Sequence, residues 1–96
     1  MGNVSRTLAG VVLAALFGTT QAQILIGQTA GFTGAVAAGV KETTDGARLW
    51  IDTVNARGGV NGQKIELVSL DDKFDPKNAA ENARKLIEEQ NVSAMF

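Results

Sequence analysis

The sequence predicts an α/β protein built on an open parallel sheet, with its elements in the order strand, helix, strand, helix, strand. Three observations support this fold class. Short apolar runs have the pattern of buried strands, longer amphipathic stretches lie between them, and turns rich in Gly, Asn or Asp separate the two. The 96-residue chain is 45% hydrophobic and 20% charged, which is typical of a soluble globular protein and excludes a disordered or collagen-like one.

The start of the chain has the three-part layout of a secretory signal peptide. Residues 1–7 carry one positive charge and no acid, residues 8–18 are apolar, and Thr20 and Ala22 are small residues before a cleavage point. The apolar run is too short for a membrane anchor, which needs about 20 residues. We therefore expect cleavage after Ala22, which leaves residues 23–96 as the exported part. No Cys follows the apolar run, so we expect a periplasmic product of a Gram-negative bacterium without a lipid anchor.

The first strand is predicted over residues 23–28 (QILIGQ), because a short apolar run bounded by Gly and Thr is typical of a strand buried in a parallel sheet. Residues 29–39 (TAGFTGAVAAG) are small, Gly-rich and uncharged. This composition predicts a loop that turns into helix near its end.

The first helix is predicted to be amphipathic. Its apolar stripe, which we expect to be buried, recurs at helical spacing at Ala47, Trp50, Ile51 and Val54. The helix is expected to end at Gly58 or Gly59, since Gly readily adopts the left-handed conformation that closes helices. An Asn-Gly turn that includes Gly62 then leads to a second strand, predicted over residues 64–70.

The second helix has a well-defined start. The Asp75 side chain is expected to accept from N–H groups of the first turn, and Pro76 fixes φ where no N–H is needed. Its apolar stripe consists of Ala79, Ala83, Leu86 and Ile87. The helix is predicted to end near Asn91, and residues 92–96 begin a third strand.

The chain contains neither Cys nor His. Disulfides and thiolate metal sites are therefore excluded, and the side chain that most often acts as a general base is missing. The net charge is −1, with mixed charges and no basic stripe, so a nucleic-acid partner is not expected. These absences favour a binding protein without a cofactor over an enzyme.

The loop after the first strand is a candidate ligand wall. In an open parallel sheet, ligands lie beyond the carboxyl ends of the strands, where the strand order reverses. With the order 2-1-3, this point falls between the first and third strands. Gly31 and Gly34 would let the backbone approach a ligand, and Thr29 and Thr33 offer hydroxyls. The other interpretation, that the glycines only permit tight turns, carries equal weight.

A nucleotide-binding or Rossmann-like domain, or another exported α/β enzyme, is the alternative class. A Gly-rich loop between a strand and a helix, with an acid after the next strand, also fits the Rossmann plan. However, Gly27, Gly31 and Gly34 match neither G-x-G-x-x-G nor a Walker A loop. Asp71 also lies farther from the loop than the usual spacing of about 20 residues.

The acids after the second strand raise the possibility of a cation site. Asp71, Asp72 and Asp75 could supply the oxygen ligands that hard cations prefer. Their spacing matches no EF-hand loop, and Asp75 already has a capping role. A structural role is therefore favoured, and no metal is predicted.

Two motifs resemble the periplasmic leucine and branched-chain amino acid binding proteins. They are NARGGVNG at residues 55–62 and DDKFDP at residues 71–76, and the whole of residues 23–96 is similar to the opening of these proteins. The positions that match the family's Gly turn and helix start are Gly58, Gly59, Gly62, Asp71, Asp72, Asp75 and Pro76.

The resemblance implies a two-lobed receptor of the type I periplasmic binding fold. Such a receptor closes on an amino acid or similar small solute and delivers it to the membrane permease of an ABC importer. Family members are several times longer than this chain, so residues 23–96 are expected to begin the N-terminal lobe.

The resemblance carries over one part of the ligand site, the loop after the first strand. In the family, the main first-lobe contacts come from loops after the third and fourth strands, beyond Phe96. Branched-chain amino acid receptors often place an aromatic beside the later Gly of the first loop, whereas here Ala38 precedes Gly39. The ligand is therefore left open among leucine, other amino acids, amides and small carboxylates.

Overall fold

The computed structural model describes residues 23–96, so the predicted signal peptide lies outside the described part of the chain. The elements are β1 (Ile24–Ala30), α1 (Ala37–Ala56), β2 (Ile65–Asp71), α2 (Pro76–Glu88) and β3 (Ala94–Met95). This is the predicted α/β order. Within residues 23–96, neither helix combines the length and apolar composition that crossing a membrane requires.

The three strands form one parallel sheet in the order β2-β1-β3. β1 pairs with β2 along its whole length, from Ile24 opposite Ile65 to Ala30 opposite Asp71, and β3 pairs with β1 through two residues. This is the order 2-1-3 on which the expected position of the ligand site was conditional. The strand order therefore reverses between β1 and β3, and the carboxyl ends of these strands mark the topological switch point.

The two helices cover opposite faces of the sheet. Ile51 of α1 forms a buried cluster with Ile65 and Leu67 of β2, and Ile26 of β1 packs against it. Leu86 of α2 is fully buried and lies against the other face, where a Cβ on Gly27 would meet its Cβ at 3.2 Å. Adjacent strand residues point to opposite faces, so α1 and α2 sandwich β1.

Two residues predicted for the apolar stripes are exposed, which corrects the sequence-based expectation. Trp50 is 59% exposed and Ile87 is 55% exposed. The buried side of α1 is centred on Thr44 and Ile51, so Trp50 lies at its margin beside an apolar groove that Phe96 also lines. Helical periodicity identifies the apolar side of a helix, but the elements packed around it decide which margin is covered.

The turn after α1 forms as predicted. Gly58 and Gly59 have φ angles of 99° and 80°, and the Gly59 N–H donates to the Val54 carbonyl at 3.0 Å, as in a Schellman motif. The Asn55 side chain donates to the Ile65 carbonyl and accepts from the Ile65 N–H, both at 2.8 Å. This pair of bonds ties the end of α1 to the start of β2.

The predicted loop 29–39 is shorter than expected. Thr29 and Ala30 continue β1, because they pair with Leu70 and Asp71, and α1 begins at Ala37. The connection thus consists of residues 31–36 and is named the β1 loop below. The strand predicted over residues 92–96 is likewise limited to Ala94–Met95.

The start of α2 confirms the predicted cap. The Asp75 side chain accepts from the Lys77 N–H at 2.9 Å, and Pro76 occupies the first helical turn. Asp75 therefore has a structural partner within its own helix.

Candidate functional site

Asp71, at the carboxyl end of β2, holds the β1 loop in place. Its carboxylate accepts from the Thr33 hydroxyl at 2.6 Å, from the Phe32 N–H at 3.0 Å and from the Lys73 N–H at 2.9 Å. The Thr33 hydroxyl, followed by the Lys73 N–H, lowers the pKa of Asp71 from its ordinary value. The ionised carboxylate thus joins the loops that follow β1 and β2.

Asp72 forms a second connection between β1 and the loop that follows β2, and this connection is buried. It is 6% exposed, and it accepts from the Thr29 hydroxyl at 2.9 Å and from the Phe74 N–H at 2.8 Å. The Asn82 amide of α2 donates to the Thr29 hydroxyl at 3.2 Å and to the Asp71 carbonyl at 3.0 Å. One network therefore connects β1, β2 and α2 at the carboxyl edge of the sheet.

The aspartates have structural partners. Within residues 23–96, no group of three or more acidic side chains is arranged to hold a metal ion. Asp71 and Asp72 bond to hydroxyl and backbone N–H groups, and Asp75 caps α2. Each carboxylate thus accepts from groups that stabilise the loops.

The two glycines of the β1 loop have different local roles. Gly31 is buried, and a Cβ there would lie 2.7 Å from Val36 Cγ2 and 3.3 Å from Phe74 Cβ. Gly34 has a φ of 92°, with open space around it. Close packing thus explains Gly31 and turn geometry explains Gly34, whereas their approach to a ligand stays a prediction.

The predicted site hydroxyls of Thr29 and Thr33 are both engaged with the aspartates. Ala38 is exposed in the first turn of α1 and lines a cavity of about 550 Å³ beside the β1 loop. The structure therefore brings the candidate ligand residues to one edge of the sheet. Gly58, Gly59 and Gly62 lie at the other end of the strands, where they shape the turn that leads into the start of β2.

The amino-terminal end of α1 has free backbone donors. Its N-cap residue Val36 makes no side-chain capping bond, whereas the Ala37 and Val40 N–H groups bond to carbonyls of the β1 loop. Within residues 23–96, the N–H groups of Ala38 and Gly39 have no hydrogen-bond partner. The positive end of the helix dipole therefore faces the carboxyl edge of the sheet.

Three residues at this edge were missed by sequence reasoning. Gln28 is 3% exposed, accepts from the Ser69 hydroxyl at 2.7 Å and donates to the Thr44 hydroxyl at 2.9 Å. A polar residue inside an apolar strand was the available signal. Asn82 gave no comparable signal, because an Asn on a polar helix face is ordinary. Phe74 could have been noticed as a large apolar residue within a polar turn.

Comparison with known proteins places these features in a family. A family model described as periplasmic binding protein matches residues 23–96. An amino acid binding protein of Pseudomonas aeruginosa is 36% identical over 74 residues, which cover 77% of this chain and 20% of the relative. Leu/Ile/Val-binding protein homolog 2 of Brucella abortus is 39% identical over 75 residues, which cover 78% of this chain and 20% of that relative.

Solved structures agree with the sequence matches. The branched-chain amino acid transporter substrate-binding protein LivJ from Streptococcus pneumoniae, in complex with isoleucine, has a TM-score of 0.73 and 35% identity, covering 77% of this chain and 21% of LivJ. A solute-binding protein from Rhodopseudomonas palustris, in complex with 3,4-dihydroxybenzoic acid, has a TM-score of 0.66 and 27% identity. The match covers 76% of this chain and 20% of that protein.

The names of these relatives describe binding proteins and not enzymes. The chain spans about a fifth of their length. Its parallel sheet, its Gly turn and its Asp-rich helix start correspond to the resemblance found in the sequence. The chain belongs to the periplasmic binding protein family, among the relatives of the leucine and branched-chain amino acid receptors of ABC transporters.

Proposed function

We propose that this chain is the opening part of the N-terminal lobe of a longer periplasmic receptor, named the full-length receptor below. The receptor captures a small carboxylate, such as an amino acid, and delivers it to the permease of an ABC importer. One observation of this chain supports the proposal most directly. The uncapped end of α1 lies beside the point where the strand order reverses.

The free N–H groups favour an anionic ligand group. A helix amino terminus attracts carboxylates through its unpaired N–H groups and its dipole. The ligands bound to LivJ and to the Rhodopseudomonas palustris protein, isoleucine and 3,4-dihydroxybenzoic acid, both carry a carboxylate. The N–H groups of Ala38 and Gly39 therefore form one wall of a carboxylate site, with the β1 loop as its support.

Calorimetric titration of the full-length receptor tests this function. We expect binding of at least one ligand among leucine, isoleucine, valine and 3,4-dihydroxybenzoate. Replacing the ligand's carboxylate with an amide should weaken binding by at least about tenfold, since a charge-assisted hydrogen bond contributes about 1.5–3 kcal/mol. The matched amides, such as leucinamide, are the controls. A receptor that binds none of these acids, or binds acid and amide equally, would contradict the proposal.

Residues 1–22 are proposed to be the signal peptide that exports this receptor. We expect the periplasmic product to begin at Gln23, which N-terminal sequencing and intact-mass measurement determine. Replacing Ala22 with Phe should block processing, because the position before the cleavage point requires a small side chain. Recovery of a periplasmic protein that still begins at Met1 would exclude cleavage.

A further inference from the structure

Gln28 is a polar residue in the interior of the fold. It lies within β1 and is 3% exposed. Its side-chain oxygen accepts from the Ser69 hydroxyl at 2.7 Å, and its side-chain nitrogen donates to the Thr44 hydroxyl at 2.9 Å. Ser69 is the register partner of Gln28 on β2, and Thr44 belongs to α1. One buried amide therefore joins β1, β2 and α1.

Stability alone is a weak explanation for this buried amide. Taking an amide out of water costs free energy that its hydrogen bonds offset, and apolar groups of the same shape can replace such a network with little loss. A fully bonded polar network instead rigidifies the interior and specifies one packing arrangement. The network of Gln28 is of this kind, since every buried side-chain nitrogen and oxygen within residues 23–96 has a hydrogen-bond partner.

The two halves of α1 are held on the sheet by different contacts. In the carboxyl-terminal half, Ile51 is buried in the apolar cluster with β2, and the Asn55 side chain bonds to the start of β2. Across residues 37–50 the buried residue is Thr44, which is 5% exposed. The bond from Gln28 therefore reaches α1 where the apolar packing of this helix is weakest.

The amino-terminal half of α1 also carries the groups that we assign to the ligand. The N–H groups of Ala38 and Gly39 lie about one and a half helical turns before Thr44. Because a helix moves as a rigid element, a shift of this half on the sheet would displace both N–H groups together. The bond between Gln28 and Thr44 opposes such a shift.

We propose that Gln28 is a positioning residue of the receptor, which fixes the amino-terminal half of α1 on the sheet through Thr44 without touching the ligand. The effect on ligand binding rests on the proposed function of this edge. The effect on α1 does not, so the two can be measured separately.

Hydrogen exchange of the ligand-free full-length receptor tests the effect on α1. Gln28→Leu removes both bonds of the amide and keeps a similar volume. In this variant the backbone amides of residues 41–50 should exchange at least about fivefold faster than in the wild type, because local opening becomes easier. Residues 51–56 should keep the wild-type rates. Unchanged rates in residues 41–50, or an equal increase along the whole of α1, would overturn the inference.

A double-mutant cycle on ligand affinity tests the consequence for binding. Gln28→Leu and Thr44→Val each remove the bond between β1 and α1. Each should weaken binding of the tightest acid found by about three- to tenfold, since a smaller fraction of the receptor then holds α1 in the binding position. The double variant should bind as well as the weaker single variant, because the same bond is lost. Thr44→Ser keeps the hydroxyl and should recover the affinity that Thr44→Val loses.

The outcomes separate this inference from the proposed function. Unchanged affinity in both single variants, additive losses in the double variant, or a Thr44→Ser variant as weak as Thr44→Val would overturn the positioning role. Binding of an acid by the wild type would leave the proposed function intact in each case. A wild-type receptor that binds none of the tested acids would instead overturn the proposed function, and the exchange rates would still decide whether Gln28 fixes α1.

Discussion

Replacing Gly59 with Ala is expected to destabilise the full-length receptor by at least about 3 kcal/mol. Gly59 has a φ of 80°, which an L side chain rarely adopts. A Cβ would also overlap the carbonyl group of Gln63, which accepts from the Val60 N–H at 2.7 Å. Because this neighbour is backbone, no side-chain rotation relieves the overlap. The turn that joins α1 to β2 would have to open.

Gly58 and Gly62 are matched controls for this substitution. They have φ angles of 99° and 78°, and a Cβ at either position meets nothing within 4 Å. Ala at these positions should cost only the conformational strain of about 1–2 kcal/mol. Urea unfolding of the three variants measures the free-energy differences. A loss for Gly59→Ala no greater than that for Gly58→Ala would show that the turn accommodates the extra carbon.

The parts of the fold that sequence predicted correctly depend on local chemistry. Asp75 and Pro76 start α2, and Gly58 and Gly59 close α1, because capping and positive φ involve atoms a few residues apart. The alternation of strands and helices predicted a parallel sheet, whereas the strand order 2-1-3 was only assumed. By contrast, the exposure of Trp50 depends on which elements lie beside it, and helical spacing holds no such information.

The candidate site was predicted less completely, because its contacts are distant in sequence. Thr29 was proposed as a ligand hydroxyl, but this hydroxyl donates a hydrogen bond to Asp72, which lies 43 residues away. Nothing in the local pattern around Thr29 indicates this bond. The turn at Lys73 and Phe74 was hard to predict for a different reason. Its backbone N–H groups bond to the neighbouring side chains of Asp71 and Asp72, and the sequence does not show which partners these side chains choose. Composition identified the loop, whereas its hydrogen bonds depend on residues that only the fold brings together.

The 96-residue chain expressed alone is expected neither to unfold cooperatively nor to bind amino acids with useful affinity. Within residues 23–96, the buried apolar residues are Ile51, Ile65, Leu67 and Leu86. The exposed large apolar residues include Leu49, Trp50, Phe74, Ile87 and Phe96. A core this small gives a hydrophobic gain that barely offsets conformational entropy, and the sequence contains no Cys for a disulfide.

Binding should fail for a separate reason. Under the proposed function, residues 23–96 supply one wall of the ligand cleft, at the free end of α1, so a ligand there would stay largely in water. Small-molecule sites normally bury 70–90% of the ligand surface, which requires a second wall. Thermal unfolding followed by far-UV circular dichroism, with calorimetric titration of leucine, isoleucine and valine, measures both properties. Trp50 fluorescence is a weak probe of folding, because this side chain is already 59% exposed.

The full-length receptor is the control, and it should melt in a cooperative transition and bind at least one acid. The comparison isolates what the first 96 residues provide, since their sequence is the same in both proteins. A cooperative transition in the short chain would show that four buried apolar side chains and the Asp network suffice for a stable fold. Micromolar binding by that chain would show further that a single wall retains a ligand, and closure by a second lobe would then be unnecessary for capture.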